Sequence, residues 1–366
     1  MPRIALALLL LFATLLARAQ APILLGTSAP FSGAFAEYGQ EYRKGADACL
    51  ARINAAGGVR GRPVRIDYLD DAYDPTRTQA NARELHRRGA VAFVNLVGTG
   101  SLLALAPVLD ELKTPVFGVS SGAAQLREDK PGQRWIFHTK ASYADEFQGF
   151  ARLLPTIGMT RLALVYQDNA FGRAGLASAM AAMPSQPEPI VLGQGTDALA
   201  RAVQQARAAE PHAVLLIAAG AQAPEFIQAY RASAGTSARV AVLSVVGGRL
   251  LTDKLGEQVA GIMTSLVYPN PWSPGRRASR EYQTAMQPTG QPLSLLGLEG
   301  CLNLRFAVEA LKLASPDANG AALRQAAERG IHLDLGDFQL RLNPGSRSAS
   351  RYTSLGIYRA SGRISE

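Results

Sequence analysis

The chain has 366 residues, 48% of them hydrophobic, with a formal charge of +9 at neutral pH and only two cysteines. Nearly 350 residues beyond the first apolar run exceed what one core serves, so two lobes are expected. The basic residues are scattered and not massed on a stripe with aromatics, which excludes the pattern of a nucleic-acid binder, and two cysteines alone cannot make the usual zinc site.

The chain opens "MPRIALALLLLFATLLARAQAP". Arg3 supplies a positive start, residues 4–16 an apolar run shorter than a membrane span, and Ala17-Arg18-Ala19 a small-x-small cleavage site. This predicts a secretory signal peptide over residues 1–19, cleaved after Ala19, and a soluble exported product. No cysteine follows the run, so no lipid anchor is expected.

From there short apolar runs alternate with amphipathic helical patterns, the signature of βαβ units and parallel sheets. "ILLGTSAP" is the first strand, and a helix follows over about 38–55, stopped by Gly57-Gly58. "RPVRIDYLDD" is the second strand, with a helix after Asp74-Pro75. "AVAFVNLVG" is the third, followed by the helical "SLLALAPVLDEL" and by the strand "TPVFGVS". After Pro131-Gly132 the rhythm restarts through "RLALVYQD", "FGRAGLASAMAAM", "EPIVLGQ", "ALARAVQQARAA", "AVLLIAAG", "EFIQAYRASAG" and "RVAVLSVV". Helices over 273–286 and 295–314 precede a strand-like, turn-rich tail from Ile331. Strands that follow two α/β halves imply more than one crossing between lobes. The expected fold is α/β, two lobes with an interlobe cleft, where such folds bind ligands. Cys49 and Cys301 each lie inside an apolar helical pattern, which points to two separately buried thiols.

Gly118-Val119-Ser120-Ser121-Gly122 matches G-x-S-x-G, the turn that presents the nucleophile of α/β-hydrolases. Asp253 and His332 follow in a permissible order. However, only "AAQLRE" can be helical before Asp129-Lys130-Pro131-Gly132 breaks the chain, no HGGG-like segment precedes it, and His332 lies in a strand-like stretch. His86 and His212 fit surface roles, and His138 falls on the first crossover. No HExxH, Walker loop or G-x-G-x-x-G is present, since Gly98-Thr99-Gly100 lacks a third glycine. The residues therefore favour a binding protein with no metal or cofactor over a secreted serine esterase.

"APFSGAFAEYGQEYRKGADACLARINAAGGVRGRPVRIDYLDDAYDPTR" resembles the amino-terminal lobe of type I periplasmic solute-binding proteins, in the leucine/isoleucine/valine-binding branch of ABC importers. The likeness continues through "LVGTGSLLALAPVLDELKTPVFGVSSGA" and "RLALVYQDNAFGRAGL" to the tail. The combination of S-G-x-x-x-x-Y-G, I-N-x-x-G-G-V-x-G and D-D-x-x-D-P carries it. The resemblance implies the type I fold: two Rossmann-like lobes, joined by three hinge crossovers and closing over a ligand. Residues 20–138 and 269–333 would form the N-terminal lobe, 139–268 and 334–366 the C-terminal one. It implies a periplasmic monomer that hands a small solute to membrane permease subunits. A receptor of the same fold that reports to a regulator is the alternative.

Residue by residue, the likeness puts Gly122, Ala123 and Ala124 at positions that contact a ligand's carboxylate and amine. Ser101 matches a carboxylate-binding serine, beside Thr99 and Gly100 at a helix N-terminus, where free N–H groups attract an anion; a plain N-cap is the other role open to it. Tyr38 matches a pocket aromatic. Departures are Ala124 for a threonine, Phe171 for a tyrosine, and Ala221 near a second tyrosine. The ammonium-binding glutamate falls near Val245 or Val246, where no acid stands. Asp168 and Glu299 are the candidate substitutes. A buried ammonium without a partner is costly, so these residues predict tighter binding of a deaminated carboxylate or an amide than of leucine, isoleucine or valine.

Overall fold

The computed structural model describes residues 21–183, 187–233 and 238–366. The expected signal peptide lies outside the described residues.

The N-terminal lobe is built on a five-stranded, wholly parallel sheet. Its strands are β1 (Ile23–Ala29), β2 (Val64–Asp70), β3 (Ala92–Val97), β4 (Val116–Ser120) and β5 (Ile136–Phe137), ordered β2-β1-β3-β4-β5. Helices α1 (Ala36–Ala55), α2 (Pro75–Arg87) and α3 (Thr99–Leu112) connect them. Asp74 accepts from the amides of Thr76 and Arg77 and starts α2 ahead of its proline. That is a strong local stop-start signal.

The chain then crosses to the second lobe, and α4 (Tyr143–Thr156) begins at a capping box. Ser142 Oγ accepts from Asp145 N while the Asp145 carboxylate takes the Ser142 amide. The second sheet is ordered β14-β13-β10-β9-β8-β6-β7. It contains β6 (Leu162–Gln167), β7 (Pro189–Leu192), β8 (Ala213–Ile217), β9 (Arg239–Val242), β10 (Met263–Leu266), β13 (Ser354–Tyr358) and β14 (Ile364–Ser365). Its helices are α5 (Ala170–Ala182), α6 (Thr196–Ala208), α7 (Gln222–Ala232) and the short α8 (Arg249–Leu255). β13 runs antiparallel to β10 and β14 antiparallel to β13, while the other pairs are parallel. Between β10 and β13 the chain returns to the first lobe as α9 (Arg277–Met286), α10 (Leu295–Leu313), α11 (Gly320–Glu328) and the hairpin β11 (Ile331–Asp334) with β12 (Gln339–Leu342). Three crossovers therefore join the lobes.

Three expectations change. The lobe boundary placed at 333/334 falls inside this hairpin. Leu333, Leu340, Leu342 and Ala349 share one core with α1, α9, α10 and α11, so the last crossing follows Ala349. The helix expected from residue 273 starts at Arg277, because Asn270 holds residues 270–273 in a turn through Trp272 N. Finally, Cys49 and Cys301 are not separate thiols but a disulfide, with Cα atoms 5.5 Å apart. The apolar patterns that hold them belong to α1 and α10, which pack face to face with no side chain between their closest turns. A Cβ at Gly45 would overlap the Gly297 carbonyl, and one at Gly300 the Tyr42 carbonyl. That approach brings the two cysteines into bonding range.

Candidate functional site

The G-x-S-x-G segment owes its glycines to packing. Gly118 has φ +75°, and a Cβ there would overlap the Asn303 side chain; a Cβ on Gly122 would meet Tyr143 N and Cδ1 at 2.6 Å. β4 ends at Ser120, and a 3-10 turn over Ala124–Arg127, not a helix of several turns, follows. Ser120 Oγ is buried without a partner. His332 is exposed against Gln339, and Asp253 pairs with Arg249, so no triad assembles at Ser120. His138 is fully buried on the first crossover, its Nε2 against the Leu126 carbonyl. Burial, with Arg127 nearby, holds it well below the usual histidine range and neutral.

The two lobes touch along one line. Tyr38, on the first turn of α1, donates its hydroxyl to the Val245 carbonyl at 2.8 Å. Val245 sits in a 3-10 turn, Ser244–Val246, at the end of β9. Tyr143 N donates to the Gly122 carbonyl at 2.9 Å, and a Cβ on Gly100 would come 3.5 Å from the Ala170 methyl. Glu37, beside Tyr38, accepts from Leu250 N. A Cβ at Gly220 would come 2.9 Å from the Phe35 ring. The cleft is closed.

Within it, the residues expected from the sequence divide clearly. Tyr38, Thr99, Ser101, Gly122, Ala123, Phe171 and Val245 are buried there. Gly100 and Ala221 are half-buried at its edge, Ala221 directly before α7. Ala124 is exposed and belongs to the rim. Ser101 is not an N-cap: Gly98 holds that place, and Ser101 lies in the first turn of α3 with Oγ buried and unpartnered. Thr99 Oγ1 and Ser121 Oγ are hydrogen-bonded at 2.8 Å.

Beside Tyr38 and Phe171, sequence reasoning missed three aromatics, Phe35, Tyr73 and Tyr143. Phe35 stacks on Tyr73 with centroids 4.0 Å apart, Phe35 meets Tyr38 at 6.0 Å, and Tyr143 meets Phe171 edge-on at 5.7 Å. Tyr143 reaches the hydroxyls of Ser121 and Thr99, and burial pushes its phenol up to about 12. Burial likewise raises Tyr38 and Tyr73 well above the ordinary tyrosine value. All three phenols are neutral donors at physiological pH. Tyr143 was discoverable, because Ser142-x-x-Asp145 marks a helix start.

Neither carboxylate proposed as a substitute acid lies free in the cleft. Asp168 is exposed and paired with Arg173, while Glu299 is buried in an ion pair with Lys140 at 3.2 Å. Two others come to the lobe junction instead. Glu37 is pushed up to about 7, chiefly by burial, with Glu41 and Asp253 adding repulsion. Glu146, fully buried on α4, is raised by burial against the pull of Lys140.

The family model described as periplasmic binding protein matches residues 22–345. The chain belongs to that family. Within it, this periplasmic binding protein falls in the leucine/isoleucine/valine-binding branch of the type I fold. It is 30% identical over 165 residues, 45% of this chain and 44% of the relative, to Leu/Ile/Val-binding protein homolog 3 of Brucella melitensis. It is 27% identical over 165 residues, 44% and 43% of the two chains, to an amino acid binding protein of Pseudomonas aeruginosa. The matched region is thus less than half the length of these curated relatives. Solved structures match nearly throughout. A possible leucine/isoleucine/valine-binding protein of Rhodopirellula baltica gives a TM-score of 0.85 at 25% identity, covering 95% of this chain and 96% of that one. A substrate-binding periplasmic protein of Ralstonia solanacearum gives 0.83 at 28%, covering 93% and 99%.

Proposed function

We propose that this protein captures a small amino-acid-like, carboxylate or amide solute in the interlobe cleft, and delivers it to the permease subunits of an ABC importer. On this reading it is exported through a cleaved signal peptide, acts in the periplasm as a monomer, binds without turning its ligand over, and needs no cofactor. One observation carries the reading. Ser101 Oγ is buried without a partner in the first turn of a 14-residue helix, inside a cleft whose other walls are aromatic. Native structures leave few buried hydroxyls unpaired. A carboxylate at this place satisfies both the hydroxyl and the free helix N–H groups. Phe35, Tyr38, Tyr73 and Phe171 then enclose an apolar body. A ligand that touches both lobes binds the closed form preferentially and shifts the population toward it.

The test is a thermal-shift screen of amino acids, carboxylates and amides, followed by titration of each hit. A bound solute at a hundred times its Kd stabilises the fold by about 2.7 kcal/mol. Ser101→Ala removes a charge-assisted bond and should weaken a carboxylate ligand by about 1.5–3 kcal/mol, roughly ten- to a hundredfold. Consumption of the hit, or undiminished affinity in Ser101→Ala, contradicts this function or this site.

A further inference from the structure

Away from the cleft, the lobe junction holds a second cavity, of about 470 Å³. Small-molecule sites span roughly 300–1,000 Å³. Three parts of the chain wall it. The first lobe supplies residues 291–295, which lead into α10. The second lobe supplies the start of α8, with Gly247 and Gly248 before it, and the turn between β13 and β14. The second crossover supplies Trp272. None of Tyr38, Ser101, Gly122, Phe171 and Val245 lines this cavity.

The wall carries donors in excess of acceptors. Arg363, exposed in the turn before β14, pairs with no carboxylate among the described residues, whereas Arg249 is held by Asp253 at 3.2 Å. Two lining arginines against one aspartate leave one positive charge. The Tyr358 hydroxyl is buried without a partner. It ends near the start of α10: a Cβ at Gly247 would stand 2.5 Å from it and 3.2 Å from Leu295 Cδ1. Burial raises this phenol well above the ordinary tyrosine value, so it is a donor. Ser294 Oγ takes the Gly297 amide, and the amides of Leu295 and Leu296 have no acceptor within the 19-residue helix that they begin. Glu37 lies behind Gly248 and outside the lining; burial pushes it up to about 7, so near pH 6 it is mostly uncharged. Beside these polar groups stands a flat apolar surface. Trp272 is half-buried, its backbone fixed by the bond from Trp272 N to Asn270 Oδ1, and Pro292, Leu293 and Leu295 add aliphatic area.

We propose that this cavity is a second ligand site, separate from the solute cleft, for an organic monoanion with a planar apolar body: an aromatic carboxylate. The carboxylate takes the Tyr358 hydroxyl and the first amides of α10, Arg363 supplies the opposing charge, and the ring lies against Trp272. Both lobes and a crossover form the walls, so the site is complete only when the lobes are closed. An occupant therefore favours closure by its differential affinity for the closed form, whatever the cleft holds.

The experiment reads tryptophan fluorescence, because the chain has two tryptophans in different places. Trp272 lines the cavity, whereas Trp135 is buried in the first lobe with its Nε1 on Asp110. The probe is 4-nitrobenzoate, a contact quencher, titrated at pH 6 with correction for its absorption. It is added to the wild type, Trp272→Phe, Arg363→Gln and Ser101→Ala, each checked for folding by circular dichroism. 4-Nitrobenzamide offers the same ring without the charge. The expected result is saturable quenching of the wild type that vanishes in Trp272→Phe and persists in Ser101→Ala. Binding should weaken at least about fivefold in Arg363→Gln, and by a similar factor for the amide. Quenching that never saturates overturns the proposal, as does equal binding of acid and amide, or an Arg363→Gln curve that overlays the wild type. Saturable quenching that survives in Trp272→Phe, or is lost in Ser101→Ala, puts the probe elsewhere and overturns it too. If Trp272→Phe does not fold, the Arg363→Gln and Ser101→Ala titrations decide.

Discussion

Closure of the lobes should take up a proton at Glu37. Its carboxylate crosses from α1 to Leu250 N at the start of α8, and its other oxygen, Oε1, is buried without a partner. Burial, with Glu41 and Asp253 adding like charge, pushes it from 4.5 up to about 7. In an open form the group is hydrated and takes its ordinary value, so the closed form binds the proton more tightly. The sign follows. A raised acid stabilises closure fully below about 4.5; that contribution is lost as pH rises through 7 and is gone above it. A difference of 2.5 in pKa is worth about 3.4 kcal/mol at most, and linkage gives roughly 20–30-fold tighter ligand binding at pH 5.5 than at pH 8. Glu37→Gln keeps an acceptor for Leu250 N but cannot ionise. By the same linkage it should bind at pH 8 about tenfold more tightly than the wild type does at pH 5.5, a level the wild type reaches only below about pH 4.5. Glu146, also raised by burial, is common to both proteins, so the difference between wild type and Glu37→Gln is the quantity to read. Titration calorimetry at pH 5.5, 6.5, 7.5 and 8, in buffers of different ionisation enthalpy, measures both the affinity and the proton uptake. Parallel pH profiles for the two proteins would refute the reasoning.

Reduction of the Cys49–Cys301 bridge, which spans 252 residues of sequence, should cost about 2–5 kcal/mol in denaturant unfolding, and a change under about 1 kcal/mol would mean that helix packing alone holds α1 to α10. Gly45→Ala forces a methyl against the Gly297 carbonyl, a backbone atom that cannot swing away, and should destabilise by about 3 kcal/mol or more, read as a lowered Tm. Gly300→Ala, facing the Tyr42 carbonyl, should behave alike. Ser120→Ala should leave the fold intact and abolish no ester hydrolysis, because neither His332 nor Asp253 comes to it.

Much of the molecule was readable before folding. The alternation of β and α elements, the Asp74-Pro75 helix start and the restart after Pro131-Gly132 are local patterns, and local periodicity is set by neighbours a few residues apart. Tyr38, Thr99, Ser101 and Gly122 were named by the family likeness, and each lies in the segment after a strand end, where in this architecture the connections converge on the cleft. The rest depended on what meets across long separations. Cys49 and Cys301 look like two core thiols until the glycines at 45 and 300 let α1 and α10 approach within a disulfide's reach. β12 reads as part of the tail until its apolar face joins the first lobe's core. Glu146 meets Ser244 and Ser265, about a hundred residues later in the chain, because α4 packs beside β10. Glu37 looks like an ordinary surface residue on a helix start; only the closed lobes desolvate it. Sequence encodes which elements form and where their ends point, whereas charge compensation and burial are properties of contacts that exist only once both lobes are assembled.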